Sequence, residues 1–267
     1  MTAALRYEWR RFTTLRSTWW LIGLGLLLPG GLSFLIATAL SPSDLASEPE
    51  FSVLAVVTQG AAVGITPLLV AYMMALFGVF NFGHEYRHGM IRATLTAVPS
   101  RVDVLAAKTL TTGGVAALVS GVSGLIGVGM ATAFLPSNAD VNTTEVWGVV
   151  LGSMLYSTMF ALVGMGLAAI FRNQVAALVV ILVVPVVAEP IIRAILVVPD
   201  AFNGVQGLAS YLPFSAGSQM YSRLSLSDGL RLLGYQPFGQ VGGGVMFGVF
   251  TLVILVVASV LFLKRDA

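Results

Sequence analysis

The sequence predicts an all-α integral membrane protein: six transmembrane helices behind an N-terminal amphipathic helix lying at the membrane interface. Two observations predict it. Hydrophobic residues fill 57% of the 267 positions and charged residues only 10%, where soluble domains carry about 25% charged residues; mean hydropathy is +0.91. The apolar residues also gather into six runs, each reaching the ~20 residues a helix needs to cross a bilayer. Lipid offers backbone groups no hydrogen bonds, and the period-2 alternation of a barrel is absent, so helices are the remaining solution.

Residues 1–18 are too short and too charged to cross. Leu5, Trp9 and Phe12 recur at i, i+4 and i+7, one helical stripe, with Arg6, Arg10 and Arg11 off it and Arg16 snorkelling from it. The first span covers 19–40, with Trp19 and Trp20 as interfacial anchors. Its Ala37-Thr38-Ala39 resembles a signal-peptidase site, but the apolar run of 22 residues is too long for a signal sequence, and a retained span is expected.

The second apolar run, 51–82, exceeds a bilayer's needs; its first residues are placed at the outer surface and the span at 57–82, with Pro67 as a kink. A polar stretch follows at 84–101. The third span, 104–135, opens on Ser100 as N-cap with Asp103 three residues on; Asn142 and Glu145 make a similar start for the fourth, 146–170. Only Phe171-Arg172-Asn173-Gln174 separates it from the fifth, 175–198, so these two are expected as antiparallel neighbours. The sixth is 241–263. Between the last two, 199–240 is nearly uncharged and rich in aromatics, which fits short helices dipping into the outer leaflet or packed over the bundle better than a solvated loop. Gly60/Gly64, Gly148/Gly152 and Gly244/Gly248 are small-xxx-small pairs that permit close helix contacts.

With the amino terminus inside, the inner segments hold Arg6, Arg10, Arg11, Arg16, Arg87, Arg92, Arg101, Lys108, Arg172, Lys264 and Arg265. The outer ones hold only Arg193, Arg223 and Arg231. The positive-inside rule then places both termini in the cytoplasm. There is no cysteine, hence no disulfide framework and no thiolate metal site. No P-loop pattern and no aromatic-interleaved basic platform occur, so neither a nucleotide site nor nucleic-acid binding is expected in this chain; membrane lipid is the partner its basic residues imply.

Two motifs invite chemistry. His84-Glu85-Tyr86-Arg87-His88 matches H-E-x-x-H, which on a helix sets two imidazoles one turn apart with a glutamate as base. Read literally it is an intramembrane zinc protease. A catalytic zinc needs a third protein ligand, yet these are the only histidines, and no metal site is expected. Glu189 and Arg193, spaced i, i+4 across Pro190, read as the ionisable residues well inside a span. They are expected either to pair and face a cavity as a gate, or to reach the outer headgroups where the helix breaks at Pro190. An ion-coupled carrier is a third class, and one buried acid without a clear inverted repeat is its only support.

At the polar stretch the chain resembles the permease subunits of bacterial ABC exporters of the ABC-2 type. These carry Glu-Tyr/Phe-Arg-x-Gly-Thr/Met-Ile-Arg-x-Thr-Leu, then Pro-x-Arg, after their second span. Glu85, Tyr86, Arg87, Gly89, Ile91, Arg92, Thr94, Leu95, Pro99, Ser100 and Arg101 match it, followed by Lys108. Met90 stands where threonine is commoner, and His84 and His88 fall at variable positions. The resemblance implies one transmembrane domain, 1–267, whose residues 84–101 form a cytoplasmic coupling helix docking on a separate ATPase. Arg87, Arg92 and Arg101 would face acidic groups there. ATP and magnesium would sit in that partner, leaving this chain with no cofactor and no catalytic residue. It further implies a second permease copy or sister chain, a bacterial plasma membrane, and an exit gate near Glu189, Pro190, Arg193, Pro213 and Phe214. The nearly apolar wall favours a hydrophobic or amphipathic cargo.

Overall fold

The computed structural model describes residues 2–40, 49–97, 100–135, 143–197, 206–223 and 238–264. Among them every regular element is helical. Five helical segments are long and apolar enough to cross a membrane: Arg16–Ala39, Arg101–Phe134, Thr143–Phe171, Gln174–Val197 and Gly239–Lys264. Each lies within a few residues of a predicted span.

α1 (Thr2–Thr14) ends where Leu15 turns to an extended conformation, and α2 (Arg16–Ala39) starts there. Arg16 therefore opens α2, one of the five long apolar helices, and does not belong to α1. The predicted stripe is partly corrected. Leu5 and Phe12 do lean on the core, but Trp9 is 59% exposed while Glu8 is buried. Arg11 turns inward to meet Glu8. A polar partner beneath the helix outweighs the hydrophobic pattern.

The predicted second span is the other correction. Instead of one helix over 57–82 there is a half-helix, α3 (Pro49–Val57), a turn through 58–68, and α4 (Leu69–Arg87). Gln59, Gly60 and Gly64 take positive φ of 58°, 80° and 75°, so this glycine pair makes a turn and not a helix-packing face. Pro67 supplies no donor to carry the first helix onward. Irregular backbone at depth is tolerated only where protein satisfies it. Here Thr58 Oγ1 donates to Leu54 O and accepts from Ala62 N, and the Thr66 hydroxyl donates to Gln59 O.

α4 packs most extensively on α7 (Thr143–Phe171). A side chain on Gly78 would strike the Ala161 carbonyl, and one on Gly164 would meet the Ala75 carbonyl at 2.6 Å, so glycines on both helices set this close approach. α6 (Arg101–Phe134) is capped as predicted, Ser100 Oγ accepting from Asp103 N at 3.2 Å; the matching start at Asn142 lies outside the described residues. Asn173 caps α8 (Gln174–Val183), which follows α7 as an adjacent antiparallel helix. A π-turn, Val184–Ala188, then leads into α9 (Glu189–Val197). The helix thus runs through Pro190, where one of the two expected readings had it break; the wider turn, with Glu189 N bonded to Val184 O, absorbs the donors missing at Pro185 and Pro190.

The segment 199–240 is described over 206–223, as a 3₁₀ turn Gln206–Tyr211 and α10 (Pro213–Ser218). Of the two arrangements expected it takes the one packed over the bundle, against α11 (Gly239–Lys264). Phe214 joins Phe160, Phe247 and Phe250, and Tyr221 meets Tyr156. Gly152 and Gly243 give room for the Met220 and Ala216 carbonyls of this cover.

Candidate functional site

The polar stretch forms a joint. α4 stops because Gly89 takes φ 65°, with Met90 N bonded to Glu85 O at 2.8 Å and Gly89 N to Tyr86 O at 3.3 Å. These are the two bonds of a Schellman cap. The chain turns there into α5 (Ile91–Ala97), which buries Ile91 and Thr94. Leu95 packs on the core. Arg87, His88, Met90, Arg92, Ala93, Thr96 and Ala97 remain exposed. A short helix is held by one apolar edge and turns Arg92 outward, next to the exposed Arg87 at the end of α4. Pro99 lies outside the described residues.

Beneath α5 lies a buried charge cluster. Lys108 Nζ sits 2.8 Å from both Glu8 Oε1 and Glu85 Oε1, and Arg11 Nη1 lies 2.9 Å from Glu85 Oε1 and 3.2 Å from Glu8 Oε2. Lys108, Glu85 and Glu8 are 0%, 1% and 3% exposed, so none of them can touch a partner. Asn81 completes the set, accepting from Arg11 at its side chain and its carbonyl and donating to Thr112 Oγ1. Two acids and two bases cancel, which is what lets four charges leave water together. They tie α1, α4 and α6, and Tyr7 hydrogen-bonds Thr94 at 3.1 Å to bring in α5.

The remaining cassette residues tie the joint to the bundle. Arg101 Nη1 donates to the Phe262 and Leu263 carbonyls at the end of α11, where a cation also complements the helix dipole. The Arg172 guanidinium lies 5.8 Å from the centroid of the Tyr86 ring. His84 stacks on Phe80. Of the H-E-x-x-H pattern, the glutamate is bound by Lys108 and Arg11 and turned into the protein. No group of three His, Cys, Asp or Glu gathers among the described residues.

On the opposite side of the bundle, Glu189 is 2% exposed. Its Oε1 accepts from Phe214 N at 3.0 Å, and its Oε2 from Ser215 N at 2.7 Å and Ser215 Oγ at 2.8 Å. The carboxylate is satisfied by the first amides of α10 and not by Arg193 four residues on. Structure thus brings Glu189, Pro213 and Phe214 together and leaves Arg193 partly exposed on α9.

Sequence reasoning missed Glu8, Arg11 and Asn81 and read Lys108 only as part of the inner charge. A signal existed. Glu8 and Arg11 share a face at i, i+3, and Lys108 stands eight positions past the Ser100 cap inside an apolar helix, a place where a lone cation demands an acid.

A family model described as ABC-2 family transporter protein matches residues 42–261. No curated protein matches the sequence.

Proposed function

The chain belongs to the ABC-2 transporter family, and from that premise we propose that it is the membrane-spanning permease subunit of an ATP-driven exporter. The family supplies the transport subunit without a nucleotide-binding domain; ATP and magnesium are assigned here to a separate cytoplasmic ATPase. Two permeases, identical or sister chains, enclose the path in this reading. The observation that carries it is the pair of exposed arginines, Arg87 at the end of α4 and Arg92 on α5, mounted on the buried four-charge joint. Such a mounting suits force transfer: α5 bears on a partner, and the ion cluster passes its displacement to α1, α4 and α6 as one body.

In this reading α4 is the sixth crossing. Its 19 residues rise about 28 Å, close to the ~30 Å hydrocarbon core. Both termini and α5 are then cytoplasmic, in a bacterial plasma membrane, with 206–223 outside. Glu189, Pro190, Arg193, Pro213 and Phe214 form the exit gate, α10 lifting when the Glu189 cap lets go. A hydrophobic or amphipathic cargo suits the apolar walls.

The test is capture and uncoupling. Affinity-purified chain from its native membrane is expected to bring an ATPase with it, and Arg92→Glu to lose that subunit while thermal stability stays unchanged, since Arg92 is exposed. Full ATPase recovery by Arg87→Glu and Arg92→Glu together would overturn the docking face.

A further inference from the structure

We propose that the membrane-embedded face of α2 carries a seat for one anionic phospholipid, with its phosphate at Arg16 and an acyl chain along a notch at Gly23. A groove on this helix is lined by Arg16, Trp19, Trp20, Gly23, Leu24 and Leu27. Gly23 makes the notch: a side chain added there would meet nothing within 4 Å. One wall is fixed, because the Trp19 indole N–H donates to Thr13 O at 3.0 Å across the bend at Leu15. Trp20 (71% exposed) and Leu27 (73%) stand open to the surroundings.

Length and charge order identify the occupant. From Arg16 to Leu27 the helix rises about 16 Å, half of the ~30 Å hydrocarbon core, so the groove is one leaflet deep. A cation lies at its mouth, indoles at headgroup level, and only apolar surface below, which is the charge and polarity order of a lipid. Arg6 and Arg10, exposed on α1, add to the positive field and favour an acidic headgroup over a zwitterionic one. Side chains of a single helix line the groove, too few to cradle another helix about 10–12 Å across. An occupied seat would steady the bend between α2 and α1, and so the helix that contributes Glu8 and Arg11 to the joint. The proposal requires only that α2 cross a membrane, and it stands or falls apart from the transport reading.

Trp9→Phe with Trp147→Phe leaves only the two groove tryptophans, of four in the chain. This protein, in phosphatidylcholine vesicles containing either brominated phosphatidylglycerol or brominated phosphatidylcholine, is expected to be quenched by the acidic lipid at about fivefold lower mole fraction. Arg16→Gln is expected to cut this preference to the smaller part that Arg6 and Arg10 supply, and Gly23→Leu to weaken quenching by both lipids. Equal quenching before any change at Arg16, a preference undiminished by Arg16→Gln, or quenching indifferent to Gly23→Leu would overturn the seat. Quenching by neither lipid would do so as well, since it would mean that protein, such as a second copy of the chain, covers the groove.

Discussion

Glu85 and Glu189 are buried carboxylates at opposite sides of one bundle, and they are stabilised by different chemistry. Glu85 is met by two full charges, Lys108 and Arg11, carried on separate helices, and its Oε2 is left without a hydrogen-bond partner among the described residues. Glu189 is met by amides and a hydroxyl from a single short helix, which satisfy both its oxygens. The difference teaches what each region resists. Charges shared between three helices cannot separate without stranding an ion in a low dielectric, so the joint moves as a unit. A carboxylate capping one helical turn is held by neutral donors on one element, each worth less than a buried ion pair, so α10 is the weaker attachment.

The sharpest way to break this comparison is to unbalance the joint. Lys108→Met leaves Glu8 and Glu85 facing Arg11 alone, and a loss of about 3–5 kcal/mol is expected, read as thermal or detergent-induced unfolding in nanodiscs. Adding Glu85→Gln restores neutrality, so the double variant should be more stable than Lys108→Met. If the two losses simply add, the four residues do not act as one cluster.

At α10 the expected effect is smaller. Glu189→Ala strands the Phe214 and Ser215 amides, costing about 2 kcal/mol, and should loosen α10 specifically, seen as faster amide exchange over 213–218 with the joint unchanged. Ser215→Ala removes one of three bonds and should cost about 1 kcal/mol. A Glu189→Ala variant whose exchange rises equally at both sides of the bundle would merge the two regions into one cooperative unit.

How much of this was legible follows from which physics each feature uses. The spans were, because hydrophobic length is a local property: the edges of α6, α7 and α11 fall within three residues of expectation. The break at 58–68 was not, since a buried turn made of Gln59, Gly60 and Gly64 is as apolar on average as the helix it replaces, and only its backbone conformation differs. The exposed Arg87 and Arg92 were legible through resemblance. The joint beneath them depends on residues 8, 11, 81, 85 and 108 meeting in space, and no periodicity within one helix encodes that. Glu189 stood out as an acid inside an apolar run and is buried, but its partner was sought on its own helix, where spacing is visible, and lies on another.

Arg101 tests whether the joint reaches the last helix. Its bonds to the Phe262 and Leu263 carbonyls close the end of α11, and Arg101→Gln should cost about 0.3–1 kcal/mol, with fraying of the last turn seen by exchange at 261–264.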